Sequence, residues 1–153
     1  MNPSRAICAG FREDLLAILR EAGEREPLAD LLPFVEPCGS EFEGLLVAAL
    51  DAAAVRFEQP IPQQVFGERI VVTPTIDARP LLESGIRLLA KHDDLALGAL
   101  YRAVVTRRGL ADVSAPLAAL LRALVVQCRA AVANGWDVLL LDTVRPGAGE
   151  RGP

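Results

Sequence analysis

The sequence has few of the residues from which metal and catalytic sites are most often built. Its 153 residues include one histidine and three cysteines, Cys8, Cys38 and Cys128, which lie far apart without any C-x-x-C spacing. One histidine is too few for a zinc site that needs a histidine pair, and three distant cysteines do not make a disulfide framework. Because this cysteine usage is typical of a reducing compartment, we predict a cytoplasmic protein.

Clustered positive charge and long apolar stretches are also lacking. Lys and Arg number 16 against 20 Asp and Glu, for a formal net charge of −4, and the basic residues are scattered. A nucleic-acid surface needs clustered Lys and Arg, so we expect no nucleic-acid partner. No uninterrupted apolar run reaches the roughly 18 residues of a membrane span. Arg12, Glu13 and Asp14 interrupt the N-terminus too early for a signal peptide, and we expect no membrane partner.

Apolar residues make up 52% of the chain but aromatic residues only 5%, so Leu, Ala and Val must fill the core. Helical spacing predicts one helix at 1–23 and a second at 41–57, which together give an N-terminal helical segment, 1–57. Several prolines punctuate the residues that follow. We interpret 58–85 as a connector with one or two short strands, including a hairpin or single strand around Gly67.

The C-terminal half alternates between short apolar runs and longer helical patterns. Strands are predicted at Ile86–Ala90, Leu110–Ser114 and Val138–Leu141, and helices between them at 95–108 and 117–133. Strands separated by helices of this length imply βαβ units in a parallel, right-handed sheet. Asp142 then stands at the carboxyl end of a buried strand, where open α/β sheets place their ligands.

A second interpretation of the same residues stays open. Ile86–Ala90 also fits the first turns of a helix that starts after Pro80, because periodicity does not separate a short buried strand from a buried helix segment. On this interpretation the chain is a mostly α bundle with one or two short strands, one of them C-terminal.

The order of features in residues 86–149 resembles the first half of a response-regulator receiver domain, the phosphoacceptor module of two-component signalling. In that family a first strand ends in an acidic cluster, and a helix closed by Gly, a short strand and a second helix follow. A third strand then ends in the phosphorylated Asp. Here Asp142 is followed by Pro146 and Gly147, which matches the family spacing D-x-x-x-P-G. The resemblance implies a partial flavodoxin-like βαβαβ fold, with a tail at 150–153.

The function implied by this resemblance is phosphorelay signalling with no turnover of the protein's own. Asp142 would be the phosphoacceptor, Asp93 would bind Mg²⁺ together with Asp142, and Asp94 would be a weaker acidic neighbour. Mg²⁺ cancels the repulsion between a carboxylate and an incoming phosphoryl group, and it needs only one or two carboxylates. The implied partner is a sensor histidine kinase or a phosphotransfer protein.

The sequence departs from the family pattern in several places. His92 stands where the family usually has its first acid, and Lys91 stands at a normally apolar strand end. The family's second half, with its hydroxyl residue and its lysine, has no counterpart before Pro153. The third strand would then have an open apolar edge, which the N-terminal segment or another subunit of a homo-oligomer must cover.

The residues ahead of the receiver-like part are faintly similar to the ATP-binding domain of a hybrid sensor kinase, of which the chain would be a remnant. The two asparagines expected on its helix are Val47 and Asp51 here, and no glycine-rich nucleotide loops follow. We therefore assign no ATP binding.

The acidic residues also have a purely structural interpretation. Asp142 can cap the turn before Pro146, and Asp93 and Asp94 can form the N-cap pair of the following helix. The protein is then a non-enzymatic helical adaptor or assembly protein that acts through protein–protein interaction. Trp136 is expected to be a packing residue in either case.

Overall fold

The structure is a computed structural model of the chain, and it describes residues 5–22, 36–38, 42–110 and 115–143. These residues form five strands and five helices in a mixed α/β fold. The strands are β1 Arg5–Gly10, β2 Glu36–Cys38, β3 Ile70–Thr73, β4 Ile76–Pro80 and β5 Asp137–Thr143. The helices are α1 Arg12–Ala22, α2 Phe42–Arg56, α3 Glu83–Ala90, α4 Asp94–Arg108 and α5 Ala115–Asn134.

The described strands form one sheet in the order β2-β1-β5-β4-β3, and every neighbouring pair in it is antiparallel. β5 lies in the centre, where its Leu140 is opposite Ile7 of β1 on one side and Arg79 of β4 on the other. Both partner strands are far from β5 along the sequence. The centre of the sheet therefore forms only when β5, the last described strand, pairs between β1 and β4.

Helices cover both faces of the sheet, and the side chains of β5 alternate between these faces. Leu139 and Leu141 pack against α1 in the smaller of two core clusters. Val138 and Leu140 belong to the larger cluster, which the other four helices form on the opposite face. Burial on both faces explains why this strand has four consecutive apolar residues.

The predicted parallel, flavodoxin-like arrangement of residues 86–149 is wrong, since the described sheet contains no parallel strand pair. Ile86–Ala90 is not a strand but lies in α3, where Ile86 and Leu89 are buried three residues apart on one helix face. A helix after Pro80 was the second interpretation of this stretch, and it is confirmed. The rest of that interpretation, a mostly α bundle, does not fit a five-stranded sheet. Most of the predicted strand Leu110–Ser114 lies outside the described residues, as does the tail at 150–153.

The N-terminal helix prediction is wrong for residues 5–10, which form β1, and the helix begins only at Arg12. Successive side chains of β1 point to opposite faces of the sheet, and helices cover both faces. Four consecutive residues are therefore buried: Ala6 and Cys8 on the α1 side, Ile7 and Ala9 on the other. Pairing with β5 outweighs the helix propensity of this alanine-containing stretch. The open edge predicted for β5 does not arise, because the N-terminal segment supplies β1 on one side and β4 covers the other.

The connector at 58–85 contains two strands, as predicted, but its hairpin is not centred on Gly67. β3 and β4 form the hairpin, and Pro74 and Thr75 make the turn. The backbone N–H of Thr75 donates to Oγ1 of Thr73 at 3.2 Å, a short-range bond that is common in turns. The predicted helical segment 1–57 and the connector therefore both contribute strands to the sheet that contains β5.

The predicted helices at 41–57, 95–108 and 117–133 are confirmed as α2, α4 and α5. Gly109 ends α4 in the left-handed conformation, with φ of 65°. Gly135, between α5 and β5, has φ of 68°. Glycine adopts this conformation at little energetic cost, so a glycine after a helical pattern predicts the end of the helix.

The segment Leu117–Asn134 of α5 is long and apolar enough to cross a membrane by length and composition alone. The core helix of a globular domain passes the same test. Leu124 and Cys128 are buried in the larger core cluster, while Arg122 and Arg129 are exposed. One buried stripe opposite a charged face is the pattern of a helix that packs on a core.

Candidate functional site

Asp142, the predicted phosphoacceptor, lies near the end of β5, and its neighbours are side chains of the adjacent strand. Its side chain is 17% exposed, and its Oδ2 is 3.4 Å from Nη2 of Arg79. Asp77 of β4 is directly opposite Asp142 in the sheet and is paired with Arg69 at 3.5 Å. Two like charges directly opposite each other on neighbouring strands destabilise a sheet. Here an arginine beside each carboxylate offsets its negative charge.

Arg79 connects Asp142 to α2 and to an aromatic ring. Its Nη2 also contacts Oε1 of Glu43 at 2.5 Å, and its guanidinium carbon lies 4.5 Å from the centre of the Phe66 ring. We call these four residues, Glu43, Phe66, Arg79 and Asp142, the Arg79 cluster. The Arg79 side chain is only 16% exposed, so the cluster lies at the edge of the larger core. Its geometry is that of a partly buried ion pair, with the charge of Asp142 compensated by a guanidinium.

Asp93, the predicted metal ligand, is the N-cap of α4. Its Oδ1 accepts a hydrogen bond of 2.7 Å from the backbone N–H of Ala96, and its backbone is extended, as N-caps are. Asp94 lies in the first helical turn and is exposed. Negative charge is favourable there because the helix dipole is positive at its N-terminus. The predicted N-cap position of Asp93 is therefore confirmed, and Asp94 follows it in the first turn.

The described contacts place Asp93 and Asp142 near opposite ends of α2. Asp142 shares Arg79 with Glu43, which is in the first turn of α2. His92, the residue before Asp93, packs against Phe57, directly after the last turn of α2. A helix rises 1.5 Å per residue, so these two ends are roughly 20 Å apart. The two carboxylates are not brought together around one cation.

The described residues give no other support for metal binding or for catalysis by a cysteine thiol. In residues 5–22, 36–38, 42–110 and 115–143 no group of three or more His, Cys, Asp and Glu side chains is placed to hold a metal ion. Burial raises the pKa of the Cys8 and Cys128 thiols to about 12. Both thiols therefore stay protonated at neutral pH and are poor nucleophiles.

A different feature, which the sequence did not reveal, lies at the opposite end of β5. Here the start of β5, the start of α3 and the end of α5 surround an open cavity of about 330 Å³. We call it the Trp136 groove, and its lining residues are Leu81, Glu83, Ile86, Arg87, Ala131, Val132, Gly135, Trp136 and Asp137. Its walls are apolar side chains and one indole ring, and its charged residues are Glu83, Arg87 and Asp137.

An exposed aromatic residue extends the Trp136 groove towards α1. Phe11 is 56% exposed and meets the edge of the Trp136 ring, with 6.3 Å between the ring centres. Next to this pair, Arg12 Nε donates to Asp137 Oδ2 at 3.2 Å. Val132, on the other wall, is 53% exposed. One exposed apolar side chain thus stands at the wall of the cavity, and another contacts the tryptophan that lines it.

The charges around the Trp136 groove are paired with each other. Arg87 binds Glu83 one turn earlier on α3, at 2.5 Å, and Arg12 binds Asp137. The groove thus presents no uncompensated charge among the residues that line it. The sequence predicted only that Trp136 is a packing residue, and this is confirmed, because Trp136 is partly buried and packs against the larger core.

No protein-family model, no curated protein and no solved structure matches the chain. The resemblance to a receiver domain therefore stays a prediction from the sequence.

Proposed function

We propose that this protein is a non-enzymatic binding protein, which holds an apolar side chain of a partner protein in the Trp136 groove. The observation that carries this proposal is the contact between exposed Phe11 and partly buried Trp136 beside an open cavity that apolar and charged side chains line together. Tryptophan and other aromatic residues dominate the binding energy of protein interfaces, and they do so next to pockets that exclude water.

The size and the charges of the groove favour a side chain over a free small molecule. Its volume of about 330 Å³ is at the lower end of the roughly 300–1,000 Å³ of small-molecule pockets. A charged ligand would find no free counter-charge, because Arg87 is paired with Glu83 and Asp137 with Arg12. A leucine or aromatic side chain needs no counter-charge, and the paired polar groups at the rim remain available to the partner's backbone.

The first prediction concerns the binding of isolated apolar side chains. N-acetyl-leucinamide and N-acetyl-phenylalaninamide are expected to bind with millimolar affinity, since ligands gain about 0.3 kcal/mol or more per non-hydrogen atom. NMR titration should move the indole N–H signal of Trp136, the one tryptophan in the chain, and the amide signals of Gly135 and Arg87. N-acetyl-serinamide at the same concentration should leave them in place.

Two valines on α5 provide a matched pair of variants for this titration. Val132 lines the groove and is 53% exposed, whereas Val126 is 50% exposed and is not among the lining residues. Val132→Arg should weaken binding of the leucine amide at least tenfold, and Val126→Arg should leave it unchanged. Equal binding by both variants, or equal shifts with the serine amide, would contradict the proposal.

A second prediction separates this proposal from a phosphoacceptor role for Asp142. We expect that Mg²⁺ with acetyl phosphate or beryllofluoride will change neither the mass nor the melting temperature of the protein. The physical reason is that Asp142 is paired with Arg79 and is not grouped with Asp93. Intact-mass spectrometry and thermal unfolding of the wild type and Asp142→Asn provide the measurement. A Mg²⁺-dependent adduct on the wild type that Asp142→Asn lacks would instead support the receiver hypothesis.

A further inference from the structure

His92 is buried at the junction between α3 and α4, with 1% of its surface exposed. Its Nδ1 is 2.9 Å from the carbonyl oxygen of Leu89, which only accepts, so Nδ1 carries the proton of the neutral ring. The other nitrogen, Nε2, is buried and has no hydrogen-bond partner within the described part of the chain. Phe57, just after α2, meets the ring edge-on, with 5.0 Å between the ring centres.

The charged groups around His92 come from each of the three helices that meet here. Arg56 ends α2, Lys91 follows α3 and lies 6.0 Å from the centre of the Phe57 ring, and Asp93 caps α4. Burial lowers the pKa of His92, and Arg56 lowers it further. The hydrogen bond to Leu89 and the charge of Asp93 act in the opposite direction. Oδ1 of Asp93 accepts from the backbone N–H of Ala96, and in the described part of the chain Nε2 of His92 has no hydrogen bond to this carboxylate.

We propose that His92 is an acid-sensitive latch, whose protonation opens the corner at residues 89–97 and separates it from Phe57 while the sheet stays folded. Protonation adds an N–H to Nε2 at a place that offers no acceptor among the described residues, and it puts a positive charge near Arg56. Since the described residues offer Nε2 no acceptor, the charged ring gains its hydrogen bonds by moving into water, and we expect it to leave its buried position. Its exit removes the edge-on contact with Phe57 and exposes that ring.

The direction of the pH effect follows from the lowered pKa. In the open corner His92 has its ordinary pKa of about 6.5, whereas in the closed corner its pKa is lower. The open form therefore binds the proton more tightly, and opening becomes more favourable as the pH falls below about 6.5. One proton changes the opening equilibrium at most tenfold per pH unit.

Amide hydrogen exchange followed by NMR between pH 7.5 and pH 5 tests the latch on the full chain. After correction for the intrinsic pH dependence of exchange, residues 89–97 should open several-fold to tenfold more often for each unit below pH 6.5. Amides of Val138–Leu141, in the central strand, should keep their protection. The imidazole signals of the one histidine should report a pKa below 6.5 in the same samples.

Two variants that cannot titrate make the test independent of overall stability. His92→Asn keeps a donor for the Leu89 carbonyl, and His92→Phe keeps an aromatic ring against Phe57. Both should abolish the pH dependence of corner opening, whatever their absolute exchange rates. The proposal is overturned if either variant retains the wild-type pH dependence, or if the amides of Val138–Leu141 open together with the corner.

Discussion

Replacing Arg79 with methionine is expected to lower the free energy of unfolding by about 3 kcal/mol. The substitution keeps an apolar stem beside Phe66 but leaves Asp142 and Glu43 without their shared guanidinium. Asp142 is only 17% exposed, so water cannot fully replace the arginine. Removing one partner of a buried ion pair leaves the other charge poorly solvated, which is more costly than removing both. Urea unfolding followed by the fluorescence of Trp136 measures the effect.

Arg69→Met is the matched control for this substitution. Arg69 is also an arginine paired with an aspartate of the same sheet, but its side chain is 61% exposed. Exposed pairs contribute about 0–1 kcal/mol, so the control should change stability by no more than that. The double variant Arg79→Met/Asp142→Asn should recover more than 1 kcal/mol of the loss, because it also removes the buried charge that Arg79 balances. Equal losses in the two single variants would show that burial of the Arg79 cluster has no energetic consequence.

Replacing Leu139 with alanine is expected to cost about 3 kcal/mol, within the range of large-to-small substitutions in protein cores. Its side chain is fully buried against α1, with 0% of its surface exposed. Leu140→Ala should cost a similar amount, because Leu140 is 2% exposed in the other core cluster. The equality of the two losses is the informative result, since it requires helices on both faces of β5.

Val71→Ala gives the reference for an exposed strand residue in the same sheet. Val71 lies in β3 and is 69% exposed, so its truncation should stay within about 0.5 kcal/mol of the wild type. Chemical denaturation of the three variants, with a common slope, gives the comparison. If Leu139→Ala behaved like Val71→Ala, the cover that α1 provides over this face would be contradicted.

The pairing partners of each side chain came only from the tertiary structure. The sequence marks Asp142 as an acidic residue at a strand end, but Arg79 lies 63 residues away and has no local signal. Asp93 is the opposite case. Its N-cap role depends on a contact three residues along the chain, with Ala96, and was therefore predictable. The predicted pairing of Asp93 with Asp142 would need a long-range contact, which no local pattern specifies, and the contacts that the structure shows for these two residues are with Ala96 and with Arg79.

The Trp136 groove was equally beyond the reach of local patterns. Its walls come from the beginning of α3, the end of α5 and the beginning of β5, and Phe11, the residue before α1, joins them. Each of these residues looks like an ordinary core or surface residue in its own segment. Their approach to one another is decided by the order of the strands in the sheet.

Several elements carry local signals and could be predicted from the sequence alone. These are the helices α2, α4 and α5, the glycines that follow α4 and α5, the N-cap at Asp93 and the buried strand at Val138–Leu141. Helical spacing, caps and turns act over a few residues, so they can be recognised without the rest of the chain. Long-range packing, in contrast, makes residues 5–10 a strand and Ile86–Ala90 a helix, and it makes the sheet antiparallel. Short apolar segments have no strong preference of their own, and they take the conformation that buries them between the partners the whole chain provides.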